Sequence, residues 1–192
     1  MNKLNYTYLN FGFFNVSTSK KLFITLHPGC SSLLQPSGPG AFFHSTIRKN
    51  KRRYQIVDEV SINLKRIDEV FDPIKSTIHL LKLDTQGTEF EILEGMGAIR
   101  PLLIQCEVST FEFYKNQKIL IDILELLDSF GYFPIVLPSK HGHGDAIFVP
   151  KLDSIGFKIY SSNPVAYAAI LLIYGLSEFA NFAVDFYESY DQ

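Results

Sequence analysis

The sequence predicts an α/β layer fold from three observations. Residues 78–83 (IHLLKL) and 102–108 (LLIQCEV) are short apolar runs, typical of buried strands in a parallel sheet. Helical segments separate the strand candidates, most clearly residues 119–130, whose apolar positions share one helical face. The order strand, helix, strand, helix, strand, strand then favours a layered sheet with right-handed crossovers.

The N-terminal part of the chain is predicted to contribute three further strands. Residues 6–14 are rich in aromatic side chains, residues 21–26 read KLFITL, and residues 54–64 include a stretch in which apolar and polar positions alternate. Residues 27–40 are dense in Gly, Pro and Ser, and this composition predicts a loop. We expect no helix after the Gly-Pro-Gly sequence in which this loop ends.

The second half of the chain carries clearer signals for where its elements stop. Residues 89–96 are predicted to form a short helix that ends at Gly97, and Gly131 is the predicted C-cap of the longer helix described above. Residues 132–137 and 145–149 are two final strand candidates. The short Gly-containing connection between them allows them to pair antiparallel at a sheet edge.

The C-terminal part of the chain is predicted to be helical. Residues 165–176 are almost wholly apolar, Pro164 suits a first helical position, and Gly175 bends or ends the helix. The run is shorter than the ~20 apolar residues that a membrane span needs, so we predict no transmembrane span. We expect this helix to pack on the sheet or to mediate self-association. We therefore divide the chain into a domain over residues 1–150 and a helical tail over residues 151–192.

Composition excludes several classes of protein. The chain has 192 residues, of which 46% are hydrophobic and 20% are charged, enough to bury a core. Lys and Arg number 18 and Asp and Glu 20, and this balance argues against nucleic acid as a partner. The two Cys exclude a disulfide framework and a zinc cage made of cysteines. Because the N-terminus lacks an uninterrupted apolar run, we expect a cytoplasmic protein.

The segment that says most about chemistry is residues 80–96, LLKLDTQGTEFEILEGM, in which a strand ends at Asp84 and a turn leads to a helix. Ligands of open α/β sheets bind outside the carboxyl ends of the strands. Asp84, Gln86 and Glu89 are therefore positioned to face a site. The alternative, equally favoured by strand-end geometry, is that Asp84 or Thr85 caps the helix and Glu89 interacts with its dipole.

Glu107 is the second candidate, because it lies near the end of the apolar run LLIQCEV. A carboxylate in such a place needs solvent or a partner. The functional interpretation makes Glu107 a site carboxylate beside Asp84 on the neighbouring strand. The alternative is a partly exposed strand end without a role.

Two further features give weaker signals. His141 and His143 flank Gly142 with Asp145 close behind, but two histidines in a Gly loop are a poor metal signature, and we predict no metal site. The basic run over residues 48–53 is able to attract a phosphate or an acidic glycan, and we interpret it as the solvated tip of a hairpin.

Several of these segments, taken in order, resemble the FkbM-type methyltransferases. The strings that carry the resemblance are GCSSLLQP, VSINLKRIDEVF, LKLDTQGTEFEILEGM, LLIQCEVS, GYFPIVL and DAIFVP, and together they extend over residues 11–150. In the family, a strand ends in Lys-aliphatic-Asp, a Gln-Gly turn with a Glu follows, and a later strand ends in Glu-Val. Residues 67–69 (Ile-Asp-Glu) replace the Leu-Asp-Asp-like helix start of the family. The Asp, Gln-Gly and Glu cluster is the most specific part of the match.

The resemblance implies a Rossmann-like methyltransferase sheet and S-adenosylmethionine as cofactor. The family's first strand ends in a Gly-rich turn and its second strand in an acid that holds the ribose. Neither motif is found here, so we expect the sheet to lack its first two strands and S-adenosylmethionine to bind weakly or not at all to this chain alone. By the same resemblance, Asp84 is the carboxylate nearest the cofactor and Glu107 is the second catalytic candidate. Gln86 and Glu89 are assigned to the cofactor side, where they orient the ligand or the loop.

The function that this resemblance implies is methyl transfer to a hydroxyl group of a small molecule or a sugar. In such a reaction a carboxylate removes the proton of the acceptor hydroxyl. The alternative is a non-catalytic, truncated methyltransferase-like domain that acts as an interaction module. The missing Gly-rich segment is the feature that distinguishes an active methyltransferase from such a non-catalytic module.

Overall fold

The strands of the chain are divided between two sheets. The computed structural model describes residues 6–72, 74, 77–138 and 142–190. Within these residues a three-stranded sheet precedes a four-stranded sheet along the chain, and helices lie between and after the strands. This mixed architecture agrees with the predicted α/β class.

The three-stranded sheet consists of β1 (Gly12–Phe13), β2 (Thr18–Thr25) and β3 (Ile56–Lys65). The central strand, β3, runs parallel to β1 and antiparallel to β2. The predictions of strands over residues 21–26 and 54–64 are confirmed. Both observed strands begin or end within a few residues of the predicted limits.

The first strand is much shorter than predicted. Of residues 6–14, only β1 pairs in the sheet, and Tyr6 and Tyr8 are exposed. Their rings contact each other edge to face, with centroids 5.4 Å apart, and no described strand lies beside them. A high β-propensity does not produce a strand where no neighbour supplies the hydrogen bonds.

A helix, α1 (Gly38–Ile47), begins where the sequence predicted a loop, so the prediction that no helix follows the Gly-Pro-Gly sequence is wrong. Pro39 lies in the first turn, where its missing N–H leaves no hydrogen bond unmade. Gly40 donates its N–H to the carbonyl of Glu112 at 2.9 Å, and a Cβ on Gly40 would lie 2.6 Å from that oxygen. The Gly and Pro residues therefore mark a helix start that packs closely against another segment.

The four-stranded sheet carries the core. Its strands are β4 (Leu80–Leu83), β5 (Leu103–Ser109), β6 (Tyr132–Val136) and β7 (His143–Pro150), in the order β4–β5–β7–β6. The first two are adjacent and parallel, and β7 is antiparallel to both of its neighbours. These pairings confirm the predicted parallel pair and the predicted antiparallel pairing of the last two strands.

The strands β4 and β5 differ in burial although their sequences look alike. Leu103, Ile104 and Cys106 of β5 are fully buried, whereas Leu80 of β4 is 40% exposed. β4 lies at the edge of the sheet and has no described strand on its outer side. The prediction that both apolar runs are buried is therefore correct for β5 and wrong for β4.

Short helices connect the strands. α2 (Ile67–Val70) links the two sheets, α3 (Glu89–Glu94) follows β4, and α4 (Leu120–Ser129) follows β5. α3 is shorter than the predicted helix over residues 89–96. Gly131, with φ of 88°, directly follows the last turn of α4, as the sequence predicted.

The tail helices pack against the sheet, which confirms one of the two predicted arrangements. α5 (Ser154–Tyr160), α6 (Pro164–Ile173) and α7 (Ser177–Tyr190) place Tyr167 and Tyr187 in the same apolar core as β5 and β7. The hydroxyl of Tyr187 donates to the carbonyl of Lys151 at 2.7 Å. Among the described helices, none combines the length and the apolar character needed to cross a membrane.

Candidate functional site

The predicted site lies at the end of the four-stranded sheet where β4 and β5 terminate. Because β4 and β5 are parallel, their carboxyl ends meet there, and β7 begins at the same end. Helix α1 covers this end and closes a pocket of about 210 Å³. Residues that line the pocket include His44, Tyr54, Gln86, Glu107, Tyr114 and His143.

Glu89 shapes the turn that follows β4. Its side chain is buried, and Oε1 accepts hydrogen bonds from the N–H of Thr85 at 2.7 Å and the hydroxyl of Thr85 at 3.1 Å. The other oxygen accepts the N–H of Gly87 at 2.9 Å. Burial raises the pKa of Glu89, and these hydrogen bonds act in the opposite direction by favouring the charged form. Both oxygens are thus committed to the turn, and Glu89 orients the loop instead of facing the pocket.

Gln86 adopts an uncommon backbone conformation at the tip of this turn. Its φ is 59°, in the left-handed region that non-Gly residues seldom occupy. The hydroxyl of Ser32 donates to the Gln86 carbonyl at 2.6 Å. The Tyr114 hydroxyl lies 3.1 Å from both the side-chain oxygen of Gln86 and the carbonyl of Cys30. Contacts from two distant segments therefore hold both the backbone and the side chain of this residue.

The side-chain amide of Gln86 joins the two predicted catalytic carboxylates. Its Nε2 donates to Asp84 Oδ1 at 2.8 Å and to Glu107 Oε2 at 2.9 Å. Carboxylate oxygens accept hydrogen bonds, so the end of the amide that faces Asp84 and Glu107 is assigned as the NH₂ group and the end beside Tyr114 as the oxygen. The structure thus brings Asp84, Gln86 and Glu107 together.

Glu107 is the carboxylate that reaches into the pocket. Its side chain is 21% exposed. Burial, followed by the nearby negative charge of Asp84, raises the pKa of Glu107 to about 8. The group is therefore mostly protonated at neutral pH and becomes a proton acceptor in mildly alkaline solution.

His143 of β7 pairs with Ser109 of β5, and its side chain lies diagonally across from Glu107. Its Nε2 lies 3.4 Å from Glu107 Oε1, and its ring packs on Phe113 with centroids 4.6 Å apart. Burial lowers the pKa of His143 below its usual value. Both shifts favour an uncharged pair at neutral pH, with a proton on Glu107 and a neutral imidazole.

A second imidazole, His44 of α1, also lines the pocket, with its ring centroid 6.1 Å from that of His143. Arg48 Nε donates to His44 Nε2 at 3.3 Å, so Nδ1 carries the proton and donates to the Tyr54 hydroxyl at 2.8 Å. Burial and nearby positive charges, Arg53 foremost, lower the pKa of His44 to about 4. His44 is therefore a neutral group that orients Arg48 and Tyr54.

Several of these lining residues lay outside the sequence prediction. His44 was missed because α1 was not predicted. Tyr54 was assigned to the predicted strand over residues 54–64, but it lies in the turn before β3 and lines the pocket. His143 appeared in the sequence only as part of a weak metal signal. No cluster of metal-binding side chains occurs among the described residues, and His141 lies outside them.

The basic run over residues 48–53 has a different setting from the one predicted. It connects α1 to β3, and is thus a turn between a helix and a strand, not the tip of a hairpin. Most of the run is exposed, as expected, but Arg48 also lines the pocket.

The family of the chain is identified by comparison with protein-family models. No curated protein and no solved structure matches the chain. The model of the family described as the methyltransferase FkbM domain matches residues 1–134, which is more than half of the chain and includes Asp84, Gln86, Glu89 and Glu107. The chain therefore belongs to the FkbM methyltransferase domain family.

Proposed function

We propose that the pocket at the carboxyl ends of β4 and β5 is the acceptor side of an S-adenosylmethionine-dependent O-methyltransferase site. The observation that carries this proposal is Glu107, a largely buried carboxyl group that lies in a pocket and is held by the amide of Gln86. A carboxyl group with a pKa of about 8 is suited to accept a proton in mildly alkaline solution, where it is ionised. The chain belongs to a methyltransferase family, and in methyl transfer to a hydroxyl group such a base would remove the hydroxyl proton.

Glu107 acts in this proposal as the general base. An acceptor hydroxyl that reaches the pocket hydrogen-bonds to Oε1, the oxygen that Gln86 leaves available. The carboxylate takes the hydroxyl proton as the oxygen becomes nucleophilic, and His143, 3.4 Å from Oε1, orients the carboxylate and shares the proton. Removing the base is expected to lower the rate by roughly 10²–10⁴-fold.

Asp84 and Gln86, which lie beside Glu107, offer polar groups to a cofactor. Asp84 is exposed, and its Oδ1 is held by Gln86, while Oδ2 is left to accept hydrogen bonds from hydroxyl or ammonium groups. We assign Asp84 and Gln86 to the cofactor side, and Glu89 to the turn that positions them. Bound S-adenosylmethionine would supply a methyl group carried on a positively charged sulfur.

The strand order supports a Rossmann-like interpretation of the larger sheet. In the order β4–β5–β7–β6, the first pair is parallel and the last strands are antiparallel, as the resemblance implies. We retain the domain boundary at residue 150, the last residue of β7, as part of this proposal. The tail helices then act as a cover that completes the core of the sheet.

One observation favours the alternative of a non-catalytic interaction module. The outer edge of β4 has no strand partner among the described residues, and an open edge of this kind pairs readily with another chain. A domain that used this edge for binding would not require Glu107 in its present protonation state.

A methyl-transfer assay tests the proposed function. The chain is incubated with S-adenosylmethionine that carries a radiolabelled methyl group and with a panel of phenols, alcohols and sugars. Label transfer that Glu107→Gln abolishes, and that the exposed-site control Glu125→Gln retains, supports the proposal. Absence of transfer to every acceptor, or unchanged transfer by Glu107→Gln, contradicts it.

A further inference from the structure

A second, aromatic pocket adjoins the Glu107 pocket. It measures about 350 Å³, a size in the range of small-molecule sites. Phe43 and Ile47 of α1 form one side, and Phe111 and Phe113, which follow β5, form the other. The two pockets share His44, Arg48, Phe113 and His143, so together they form one continuous depression.

Aromatic rings that contact one another line one side of this depression. The rings of Phe111 and Phe113 lie 5.4 Å apart with 35° between their planes, and Phe43 meets Phe111 edge to face at 5.9 Å. Such surfaces bind flat apolar groups through offset or edge-to-face contacts. A sugar buried here would have to find a hydrogen-bond partner for each of its hydroxyls, because a buried hydroxyl without a partner weakens binding. The polar lining groups are two imidazoles and one guanidinium, too few for that purpose.

Arg48 supplies a positive charge at the rim of the aromatic pocket. Its Nε is used by His44, and no carboxylate in the described part of the chain pairs with its guanidinium. A guanidinium offers two parallel N–H donors that match a carboxylate. The rest of the basic run, residues 49–53, adds to the attraction of an anion.

We propose that the acceptor is a planar phenolic acid. Its ring lies against Phe111 and Phe113, its anionic group pairs with Arg48, and its hydroxyl faces Glu107 and His143. The orientation of the hydroxyl rests on the proposed function, whereas the recognition of the ring and the anion rests on the pocket alone.

A binding experiment without methyl donor separates this inference from the catalytic proposal. The affinities of para-hydroxybenzoate, of the uncharged para-hydroxybenzamide and of a methyl glucoside are measured by saturation-transfer NMR titration. We expect the acid to bind about tenfold or more tightly than the amide, as a charge-assisted pair provides, and the glucoside not to bind.

Two variants locate the recognition. Arg48→Gln should reduce the affinity for the acid to that for the amide and leave the amide unaffected, whereas Arg52→Gln, a neighbouring exposed control, should change neither. Phe111→Leu should weaken both aromatic probes. Equal affinities for acid and amide, no effect of Arg48→Gln, or preference for the glucoside would overturn the inference. Binding of the acid as described, without methyl transfer in the assay above, supports the inference and counts against the proposed reaction.

Discussion

The amide nitrogen of Gln86 lies 2.9 Å from Glu107 Oε2, and the same nitrogen lies 2.8 Å from Asp84 Oδ1. One NH₂ group thus bridges the two acidic side chains, whose negative charges repel each other once Glu107 is ionised. In its charged form, each carboxylate accepts one charge-assisted hydrogen bond from this NH₂ group. The protonation state of Glu107 therefore depends on the position of Gln86, which is set by a left-handed backbone and by Tyr114.

Shortening the side chain of Gln86 should raise the pKa of Glu107. Gln86→Asn keeps an amide and a residue that tolerates the left-handed region, but the shorter side chain does not reach Glu107. Loss of a donor to the charged form raises the pKa of Glu107 further above about 8. The shift is measured by carbon-detected NMR titration of the Glu carboxyl groups. The exposed control Gln55→Asn should leave the titration unchanged, and an unchanged or lower pKa in Gln86→Asn would contradict the bridging role.

Glu107 should make the folded protein less stable in alkaline solution. Its pKa in the folded chain is about 8, against an ordinary pKa of 4.5 for a Glu side chain, so between these two pH values the folded state binds a proton that the unfolded state has lost. The free energy of unfolding therefore falls as the pH rises through this window. Glu107→Gln does not titrate and should lose this part of the pH dependence.

Calorimetric melting at about pH 5 and at about pH 9 measures the effect. The melting temperature of Glu107→Gln, relative to that of the wild type, should be higher at about pH 9 than at about pH 5. The difference between Glu125→Gln and the wild type should be the same at both pH values. A variant with the same pH dependence as the wild type would show that Glu107 titrates normally in the folded chain.

Glu89 should be important for stability and not only for the site. Glu89→Gln replaces one acceptor oxygen by an NH₂ group that faces the N–H of Thr85 or of Gly87. A buried donor left facing another donor costs ~1–3 kcal/mol, and more where a charge was satisfied before. Urea unfolding measures the loss, with Glu125→Gln as the control. A variant as stable as the wild type would mean that the turn does not depend on this carboxylate.

S-adenosylmethionine should bind weakly to this chain. Asp84 lies at the end of the edge strand β4, and no described strand stands beyond it to enclose a ligand on that side. A partly enclosed site loses contacts but still immobilises the ligand, so we expect a dissociation constant of about 1 mM or weaker. Calorimetric titration measures it, and Asp84→Ala should abolish the remaining binding. Low-micromolar affinity at one site per chain would contradict this prediction.

The sequence predicted the parts of the fold that depend on local patterns. The apolar runs gave the parallel pair β4 and β5, and Gly131 marked the end of α4. The helix α1 was missed because Gly38, Pro39 and Gly40 are common in loops. Pro39 also suits a first helical turn, and the close contact between Gly40 and Glu112 explains the glycine that follows it.

The candidate site was predicted in outline and not in its contacts. The strand ends indicated Asp84 and Glu107, since parallel strands end at one edge. The bridging by Gln86 depends on the Tyr114 and Ser32 contacts, which come from segments far apart in sequence. His44 lies on α1 and Tyr54 in the turn before β3, and no local pattern reveals how these two segments pack. The division of the chain at residue 150 and self-association through the tail remain predictions.

The most direct test of the proposed role of Glu107 is the pH dependence of methyl transfer at several millimolar S-adenosylmethionine. If the Glu107 carboxylate is the base, the rate rises with its ionised fraction, about tenfold per pH unit, and levels off above about pH 8. Glu107→Gln should lose this rise together with at least roughly 10²-fold of the rate, and Glu125→Gln should retain both. A rate independent of pH between about pH 6 and about pH 8, or a Glu107→Gln variant with the wild-type profile, would contradict the role proposed for Glu107.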